Sequence, residues 1–304
     1  MEQYNSYSSW IRKKFPFRVQ KISVDAGFSC PNRDGAISSG GCSFCDNRSF
    51  KPSYCAEGFS IANQIEAGKS FFQRKYPKMK YLAYFQAYSN TYADIDTLRQ
   101  RYNEALECED VVGLIIGTRP DCISEQILDY LEDLSRQTFL TVEYGIESTL
   151  DRTLKRIGRG HTFECSKKAI EATAERGITT GGHVIIGLPG EGKQEIEMQA
   201  ADISKTKLDI LKIHQLQIIR GTRLAKEYTK RPFHMFSADE YIGTVANYIR
   251  HLRKDIVIER FVSQSPKGMA IAPNWGLKNH EFTDRLNNYL KKEGITQGDL
   301  ITRP

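Results

Sequence analysis

Three cysteine residues, Cys30, Cys42 and Cys45, lie close together near the start of the sequence in the pattern C-x11-C-x2-C. The glycines between the first two permit the tight turns that let a loop wrap around a metal centre. Soft thiolates of this kind bind zinc or iron–sulfur clusters. A closed zinc site needs four ligands, whereas three thiolates leave one iron of a cubane cluster open. The spacing therefore favours a cluster without excluding zinc.

The other cysteines and the hydropathy pattern bear on the compartment. Cys55 is a core thiol, an auxiliary ligand or a reactive group, whereas Cys108, Cys122 and Cys165 are expected to be ordinary buried thiols. The first residues lack the apolar region of a signal peptide, and no stretch approaches the roughly 20 apolar residues that span a bilayer. We expect a cytoplasmic protein with no membrane partner and reduced thiols.

Composition sets broad limits on the fold and the partner. The chain has 304 residues, of which 40% are hydrophobic, and this suffices for the core of one α/β domain. The formal net charge of +6 suits a polyanionic partner such as RNA, but a solvated basic surface explains it equally well. Composition therefore excludes a disordered chain and leaves the partner open.

Short apolar runs alternate with amphipathic stretches along most of the chain. The predicted strands are Val19–Val24, Tyr81–Gln86, Val111–Ile116, Phe139–Tyr144, Gly182–Gly187 and Leu211–Ile219. The predicted helices between them are Ile61–Lys75, Asp96–Leu106, Ser124–Leu134, Thr162–Arg176 and Lys193–Lys205. The alternation predicts a parallel α/β sheet, open or closed into a partial barrel, with its working site at the carboxyl ends of the strands.

The end of the chain continues this pattern. Gly177 suits a helix C-cap, and Ser237–Glu240 reads as a capping box that opens another helix, with basic residues in its last turn. A further strand at Ile256–Phe261 and a helix near Asp284–Lys292 are predicted as parts of a C-terminal extension. The residues before Val19 form an N-terminal extension.

The sequence carries several short motifs in order and at predicted strand ends. They are Cys30–Gly35, Tyr84–Tyr92, Gly117–Asp121, Glu143–Ser148, Arg159–Thr162, Gly187–Gly190, Lys212–Leu216 and Gly221–Leu224. With the aromatic residue before the last loop cysteine, they resemble radical S-adenosylmethionine (SAM) enzymes, in particular the YhcC/MnmL-type group of the branch around the Elongator catalytic subunit. The common family spacing is C-x3-C-x2-C, and the longer gap here is similar to that of this branch.

The resemblance implies a fold and two cofactors. It implies a partial (β/α)6 TIM-type barrel over residues 19–230, with extensions at 1–18 and 231–304. Cys30, Cys42 and Cys45 would hold a [4Fe–4S] cluster, and the amino and carboxylate groups of SAM would chelate its fourth iron. The reduced cluster would then cleave SAM, and the 5′-deoxyadenosyl radical would take a hydrogen atom from the substrate.

The same resemblance implies three contacts to SAM. Phe44 would lie near the adenine, although it could simply pack the loop. Arg159 would bind the SAM carboxylate through its planar guanidinium, unless it is a solvated arginine at a helix end. Glu147 would accept a hydrogen bond from the ribose or the ammonium group, or else form a salt bridge. Motif matching assigns no residue to substrate catalysis.

Other polar residues in these motifs are expected to be structural. Arg119 and Asp121 are candidates for a structural pair or a substrate contact. The histidines at strand ends are expected to be satisfied core residues: His161, His183 and His214. The interleaved tyrosines are expected to pack in the sheet rather than to stack a base: Tyr81, Tyr84, Tyr88 and Tyr92.

The resemblance points to tRNA as the substrate. It suggests chemistry on the C5 substituent of the wobble uridine, with members linked to converting carboxymethylaminomethyl to aminomethyl groups, and it requires a reducing electron donor such as flavodoxin or ferredoxin. Arg12, Lys13 and Lys14 are candidates to contact RNA phosphates. Two alternatives stay open: radical oxidation of a small molecule, and a zinc-stabilised RNA-binding protein without catalysis.

Overall fold

The computed structural model describes residues 2–55, 58–73 and 78–301. The main sheet contains the parallel strands β1 (Val19–Val24), β2 (Lys80–Phe85), β3 (Val111–Thr118), β4 (Phe139–Glu147), β5 (Thr179–Ile186), β6 (Ile210–Gln215) and β8 (Val257–Arg260), paired in that order. The sheet curls into a half-barrel. A small antiparallel pair, β7 (Ile218–Ile219) and β9 (Ala270–Ala272), lies outside it.

Helices connect and cover these strands. They are α1 (Tyr7–Lys14), α2 (Ile61–Gln73), α3 (Ile95–Leu106), α4 (Glu125–Ser135), α5 (Asp151–Arg156), α6 (Phe163–Glu175), α7 (Lys193–Ser204), α8 (Arg223–Lys230), α9 (Ala238–Arg250) and α10 (Asn279–Lys292). The helices predicted between strands are confirmed within a residue or two. The predicted end of the first of them, Lys75, lies outside the described residues.

Two short helices and the N-terminal one were not predicted, because each is too short for its apolar periodicity to stand out. In α1 the Ser6 side chain accepts a hydrogen bond from the Ser9 backbone N–H and caps the helix. The capping box at Ser237 and the positive φ of Gly177 after α6 are confirmed. The basic residues predicted for the last turn of α9 mostly follow it, since the helix ends at Arg250.

The alternative of a partial barrel is confirmed, with one correction. The strand that the sequence assigned to a C-terminal extension, β8, pairs in parallel with β6 and is the seventh strand of the same sheet. The predicted last run, Leu211–Ile219, divides into β6 and β7 with Leu216 between them. The domain boundaries at 18/19 and 230/231 stay predictions.

The N-terminal extension closes one end of the half-barrel. The Ile258 backbone N–H donates to the Asn5 carbonyl over 2.7 Å, so the extension is tied to β8. Ile11 of α1 and Phe15, which follows the helix, pack against an apolar cluster that includes Leu82, and the Phe15 ring contacts that of Phe139, near the amino ends of the strands. Because apolar side chains fill that end, the carboxyl ends remain open for a site.

Candidate functional site

A cavity opens at the carboxyl ends of the strands. It encloses about 1150 Å³ of empty space, including its mouth. We call one side the loop wall (Cys30, Cys42, Phe44, Cys45 and Arg159) and the other the strand wall (Glu143, His183, Lys212 and His214). Lys212 lies just beneath the surface of the strand wall; all the others line the cavity.

The loop wall is fixed mainly by backbone hydrogen bonds. The turn after Cys30 closes when the Arg33 N–H donates to the Cys30 carbonyl over 2.7 Å. The Ser43 N–H donates to the Ile157 carbonyl over 2.8 Å, at the end of α5. The Leu224 N–H donates to the Ser43 carbonyl over 2.8 Å, at the start of α8. The loop is therefore anchored to two helices that lie far from it in the sequence.

The sulfur atoms of the loop lie among hydrogen-bond donors. The Cys42 Sγ is 3.4 Å from the Asn32 amide and 3.6 Å from the Arg159 guanidinium. Burial, followed by the nearby Cys42, raises the pKa of Cys45 to about 11, against the opposing effect of Arg33. Burial thus favours the neutral thiol of Cys45, whereas the donors around the Cys42 sulfur favour the anionic form that a metal centre requires.

The soft metal ligands of the cavity are its three loop thiols. Among the described residues, no group of three or more His, Cys, Asp or Glu side chains is placed to hold one ion. The soft donors that converge on the cavity are the three loop thiols, which suit a cluster. Cys55 is buried away from the loop, and its thiol donates to the Ser23 carbonyl over 3.3 Å.

Arg159 lines the cavity on the side of the loop. Its side chain is buried, its Nη2 donates to the Gly145 carbonyl over 2.6 Å, and the same atom is 3.7 Å from Glu147 Oε1. Within the described residues its Nε is buried without a hydrogen-bond partner. An unpartnered charged donor facing a cavity is costly, so this Nε fits an anionic ligand group.

The end of β4 is shaped for this arginine. A side chain at Gly145 would place its Cβ 2.5 Å from Arg159 Nη2 and 2.7 Å from Glu147 Oε1. A side chain at this position would therefore displace the pair from its present place. Glu147 itself has a φ of 67°, which is uncommon for a residue with a side chain and is typical of functional sites. Glu147 and Phe44 both line the cavity, and their contacts to SAM stay predictions.

The strand wall contains a buried charge network that sequence reasoning did not foresee. Glu143 Oε2 accepts from Lys212 Nζ over 2.7 Å and from His183 Nε2 over 3.0 Å. Lys21 Nζ is 3.7 Å from Glu143 Oε1 and 2.5 Å from Glu259. Side chains from β1, β4, β5, β6 and β8 thus meet around one carboxylate inside the half-barrel.

The network determines the charge state of its members. Burial alone would raise the pKa of Glu143, but Lys212 and Lys21 outweigh it and hold that pKa well below the usual range. Burial lowers the pKa of Lys212 to about 8, against the attraction of Glu143 and Glu259. At neutral pH the carboxylates are ionised and the lysines charged, so the buried charges largely compensate each other.

Two of the three strand-end histidines, which the sequence analysis expected to be satisfied core residues, lie at the cavity. The rings of His183 and His214 stack with centroids 5.3 Å apart and both line the cavity. Burial lowers the pKa of both histidines, for His214 with Arg260 adding to the effect. His161 does not line the cavity, but it is not a satisfied core residue either, because it is half-buried and its Nε2 has no hydrogen-bond partner among the described residues.

The remaining candidates divide between packing and the mouth of the cavity. Arg119 forms the expected bidentate pair with Asp121, at 2.8 and 2.7 Å, and it also lines the cavity, so its substrate contact stays a prediction. Tyr81 and Tyr84 are buried, as predicted. Tyr88 differs: it lines the cavity and is 39% exposed, so packing does not account for it.

The thiols outside the loop also differ in burial. Cys122 is buried as expected, whereas Cys108 and Cys165 are only half-buried. Arg12 to Lys14 adjoin Ile11, at the end of the barrel opposite the cavity. The expected phosphate contacts of these basic residues are therefore not placed beside the site.

A half-barrel with a thiol-lined cavity at its carboxyl edge defines an α/β metalloenzyme architecture. The sequence profile of the Radical SAM superfamily matches residues 34–203, more than half of the chain, and that of the Radical_SAM C-terminal domain matches residues 208–292. The chain belongs to the Radical SAM superfamily. It therefore works with a [4Fe–4S] cluster and SAM, and the non-catalytic zinc alternative is not supported.

Named relatives refine this placement. The chain is 34% identical to Protein YhcC of Escherichia coli over 99% of its own length and 96% of that protein. It is 25% identical to a tRNA uridine(34) acetyltransferase of Methanocaldococcus jannaschii, over 64% of this chain and 36% of that one. The structure of archaeal Methanocaldococcus infernus Elp3 superposes with a TM-score of 0.67 at 18% identity, covering 92% of this chain and 64% of that one. The last match concerns the fold alone.

In the part of the chain that the structure describes, no helix is both long and apolar enough to cross a bilayer.

Proposed function

We propose that this radical SAM enzyme modifies the C5 substituent of the wobble uridine in tRNA. The observation that carries the proposal is the two-sided cavity, which has room for a cofactor at the loop wall and a substrate group at the strand wall. Likeness to a tRNA uridine(34) acetyltransferase over nearly two thirds of the chain supports RNA as the substrate.

In this proposal the loop wall binds both cofactors. Cys30, Cys42 and Cys45 hold the cluster, and Arg159 binds the SAM carboxylate through its unpartnered Nε edge. Bound together, the two cofactors supply the 5′-deoxyadenosyl radical that abstracts a hydrogen atom. Phe44 packs against the nucleoside part of SAM and helps to exclude water from it.

Glu147 completes the proposed SAM site. Its carboxylate is held near Arg159 and lines the cavity. A carboxylate can only accept hydrogen bonds, so it suits the ribose hydroxyls or the ammonium group of SAM. The left-handed backbone at Glu147 turns the side chain towards this site.

The mouth of the cavity suits a base that leaves its stack. Phe50 and Tyr88 line the cavity and are 38% and 39% exposed, so they lie where it meets solvent. The Tyr88 backbone has a φ of 65°, and its N–H donates to Asn47 Oδ1 over 3.0 Å. A strained backbone that holds an aromatic ring at an opening fits base stacking, which anticodon-loop bases can reach.

Exposed basic residues near the mouth replace the N-terminal ones as candidates for phosphate contacts. Arg48 follows Asn47, and Arg220 follows Ile219; both neighbours line the cavity. Guanidinium groups at this edge would meet the backbone of an RNA whose base enters. Binding through phosphates predicts an affinity that falls as salt rises.

The deciding experiment has two stages. The protein is reconstituted anaerobically with iron and sulfide, and 5′-deoxyadenosine formation is followed after dithionite reduction, or with a flavodoxin or ferredoxin donor. Total tRNA from a strain that lacks the gene is then added, and its nucleosides are measured by mass spectrometry. We expect a wobble-uridine nucleoside to change only with SAM and reductant present. SAM cleavage without any change in tRNA nucleosides would reject the substrate and favour a small molecule.

A further inference from the structure

The strand wall presents a histidine whose orientation is fixed from several sides. His183 lies on β5 and lines the cavity with 18% of its side chain exposed. Its Nε2 is 3.0 Å from Glu143 Oε2, and its ring stacks on His214. Glu143 is held in turn by Lys212 at 2.7 Å. The ring therefore has little freedom to turn about its own axis.

These contacts determine the tautomer of His183. An ionised carboxylate has no proton to donate, so the hydrogen between Glu143 and His183 is carried by Nε2. Burial lowers the pKa of His183 and keeps the ring neutral at pH 7. In a neutral ring protonated at Nε2, Nδ1 has a lone pair. No hydrogen bond from the described residues satisfies this Nδ1, and the cavity is the space left to it.

We propose that His183 Nδ1 is the hydrogen-bond and proton acceptor for an N–H or O–H group of the substrate, and that Glu143 and Lys212 are its positioning residues. This proposal rests on the proposed function only for the identity of the substrate. A base held by a carboxylate, which is held by a second group, is a general arrangement for activating a substrate group. It lies on the strand wall, away from the thiols.

The surrounding charges act on His183 in opposite directions, since Glu143 raises its pKa whereas Lys212 and Arg260 lower it. The groups that face His183 are Glu143 from β4, Lys212 and His214 from β6, and Arg260 from β8. When Nδ1 takes a proton, the new positive charge lies beside the Glu143 carboxylate, which compensates it. The proton moves from the substrate N–H or O–H to Nδ1, and the substrate keeps the electron pair, so the step needs no oxidant.

The first test measures the tautomer without any substrate. Histidine imidazoles are labelled with ¹⁵N in the holoprotein with its oxidised cluster, and nitrogen–proton correlations are recorded at pH 7. We expect His183 to be neutral and protonated at Nε2 only, and Glu143→Gln to shift the ring towards a mixture of tautomers. A ring protonated at Nδ1, or at both nitrogens, overturns the proposal whether or not tRNA is the substrate.

The second test measures turnover with tRNA from a strain that lacks the gene. We expect His183→Gln to lower kcat for the nucleoside product roughly 100-fold with a small change in KM for SAM. Free imidazole should restore part of the activity of His183→Ala, but not of His183→Ala combined with Glu143→Gln. His280→Gln, at an exposed position on α10, is the matched control and should behave as the wild type.

The outcomes separate the two proposals. If the wild type leaves tRNA unchanged, the proposed function fails, and the tautomer measurement alone decides the role of His183. If the wild type modifies tRNA and His183→Gln does so at an equal rate, the proposed function stands and the role of His183 is refuted. Failure of imidazole to restore activity to a folded, cluster-loaded His183→Ala also counts against proton acceptance.

Discussion

The two walls of the cavity are built in different ways. Apart from Arg159, the loop wall is formed by neighbours in sequence, and backbone hydrogen bonds fix it to the ends of α5 and α8. The strand wall is formed by single side chains from several strands, and buried charges hold it together. The loop wall should therefore depend on the identity of its thiols, whereas the strand wall should depend on the balance of its charges.

The largest effect is expected from the loop wall. Cys42→Ala should abolish 5′-deoxyadenosine formation, because the cluster would lose one of its three proposed thiolate ligands. Iron and sulfide content, the absorbance of the cluster and SAM cleavage measure the outcome. Cys55→Ala is the matched control, since it also removes a buried thiol but outside the loop. A Cys42→Ala protein that retains a full cluster and cleaves SAM would contradict the assignment.

Changes to the charges of the strand wall should lower the stability of the folded protein. Glu143→Gln removes the carboxylate that compensates Lys212 and leaves a buried ammonium group short of its partner. We expect the free energy of unfolding to fall by about 3–5 kcal/mol, as is typical of a broken buried ion pair. Urea denaturation under anaerobic conditions provides the measurement.

An exposed pair gives the contrast. Glu227→Gln breaks the contact with Arg156, in which both side chains are about half exposed. Its cost should stay below about 1 kcal/mol, because solvent screens such pairs. If the two glutamine substitutions lowered the free energy of unfolding equally, the buried charges of the strand wall would matter no more than an exposed ion pair, and the contrast would be refuted.

These two walls also differ in how far the sequence predicted them. The thiols, Phe44 and Arg159 follow from short motifs, because each motif fixes its own loop and the parallel fold brings strand ends to one edge. The alternation of strands and helices predicted a parallel sheet, whereas the order of its strands comes from the structure. The network around Glu143 does not, because it depends on which side chains of distant strands point inward in the folded register.

A few signals for the unpredicted part were present in the sequence. Lys212 interrupts an apolar strand, Leu211–Ile213, and Glu143 likewise follows Val142 in a strand that is otherwise suited to burial. Opposite charges within two buried strands indicate a pair inside the barrel, since unpaired burial is costly. The joining of β8 to the sheet could not be read in this way, because its run is short and follows a helix without any motif.

Arg159 connects the loop wall to the proposed cofactor. Arg159→Lys should raise the KM for SAM about 10- to 100-fold, because one ammonium group cannot replace a guanidinium that serves both a carbonyl and a ligand. The cluster should remain, as judged by iron content. Arg156→Lys, on the exposed side of α5, is the control. An unchanged KM for SAM in Arg159→Lys would mean that the SAM carboxylate binds to another residue.

Tyr88 tests whether RNA enters at the mouth between the two walls. Tyr88→Ala should raise the KM for tRNA about 5- to 100-fold, the usual value of one base–aromatic stacking contact, and Tyr88→Phe should retain most of the affinity. The measurement is the tRNA dependence of nucleoside formation at constant salt. Tyr289→Ala removes a similarly exposed tyrosine from α10 and should have little effect. If the two alanine variants had the same KM for tRNA, the base would not stack on Tyr88.

The smallest effect concerns how the strand wall responds to acid. The pKa values of His183 and His214 are lowered in the folded protein, chiefly by burial, so the unfolded chain binds more protons once the pH falls below about 6.5. Stability that is present above pH 6.5 should therefore be lost at about 1 kcal/mol per histidine over the next pH unit. The lowered pKa values of Glu143 and Glu259 act in the same direction, but only at lower pH.

Between pH 7 and 5.5 the effect of the stacked histidines on stability can be measured apart from that of the carboxylates. Urea midpoints measured between pH 7 and 5.5 should fall in the wild type and change less in the double variant His183→Gln, His214→Gln. Loss of the cluster in acid would affect both proteins alike, so the difference between them reports the imidazoles alone. Parallel pH dependences would mean that the two rings take up protons as easily when folded as when unfolded. Acid sensitivity would then belong to the loop wall, and the neutral state required of His183 would be lost with it.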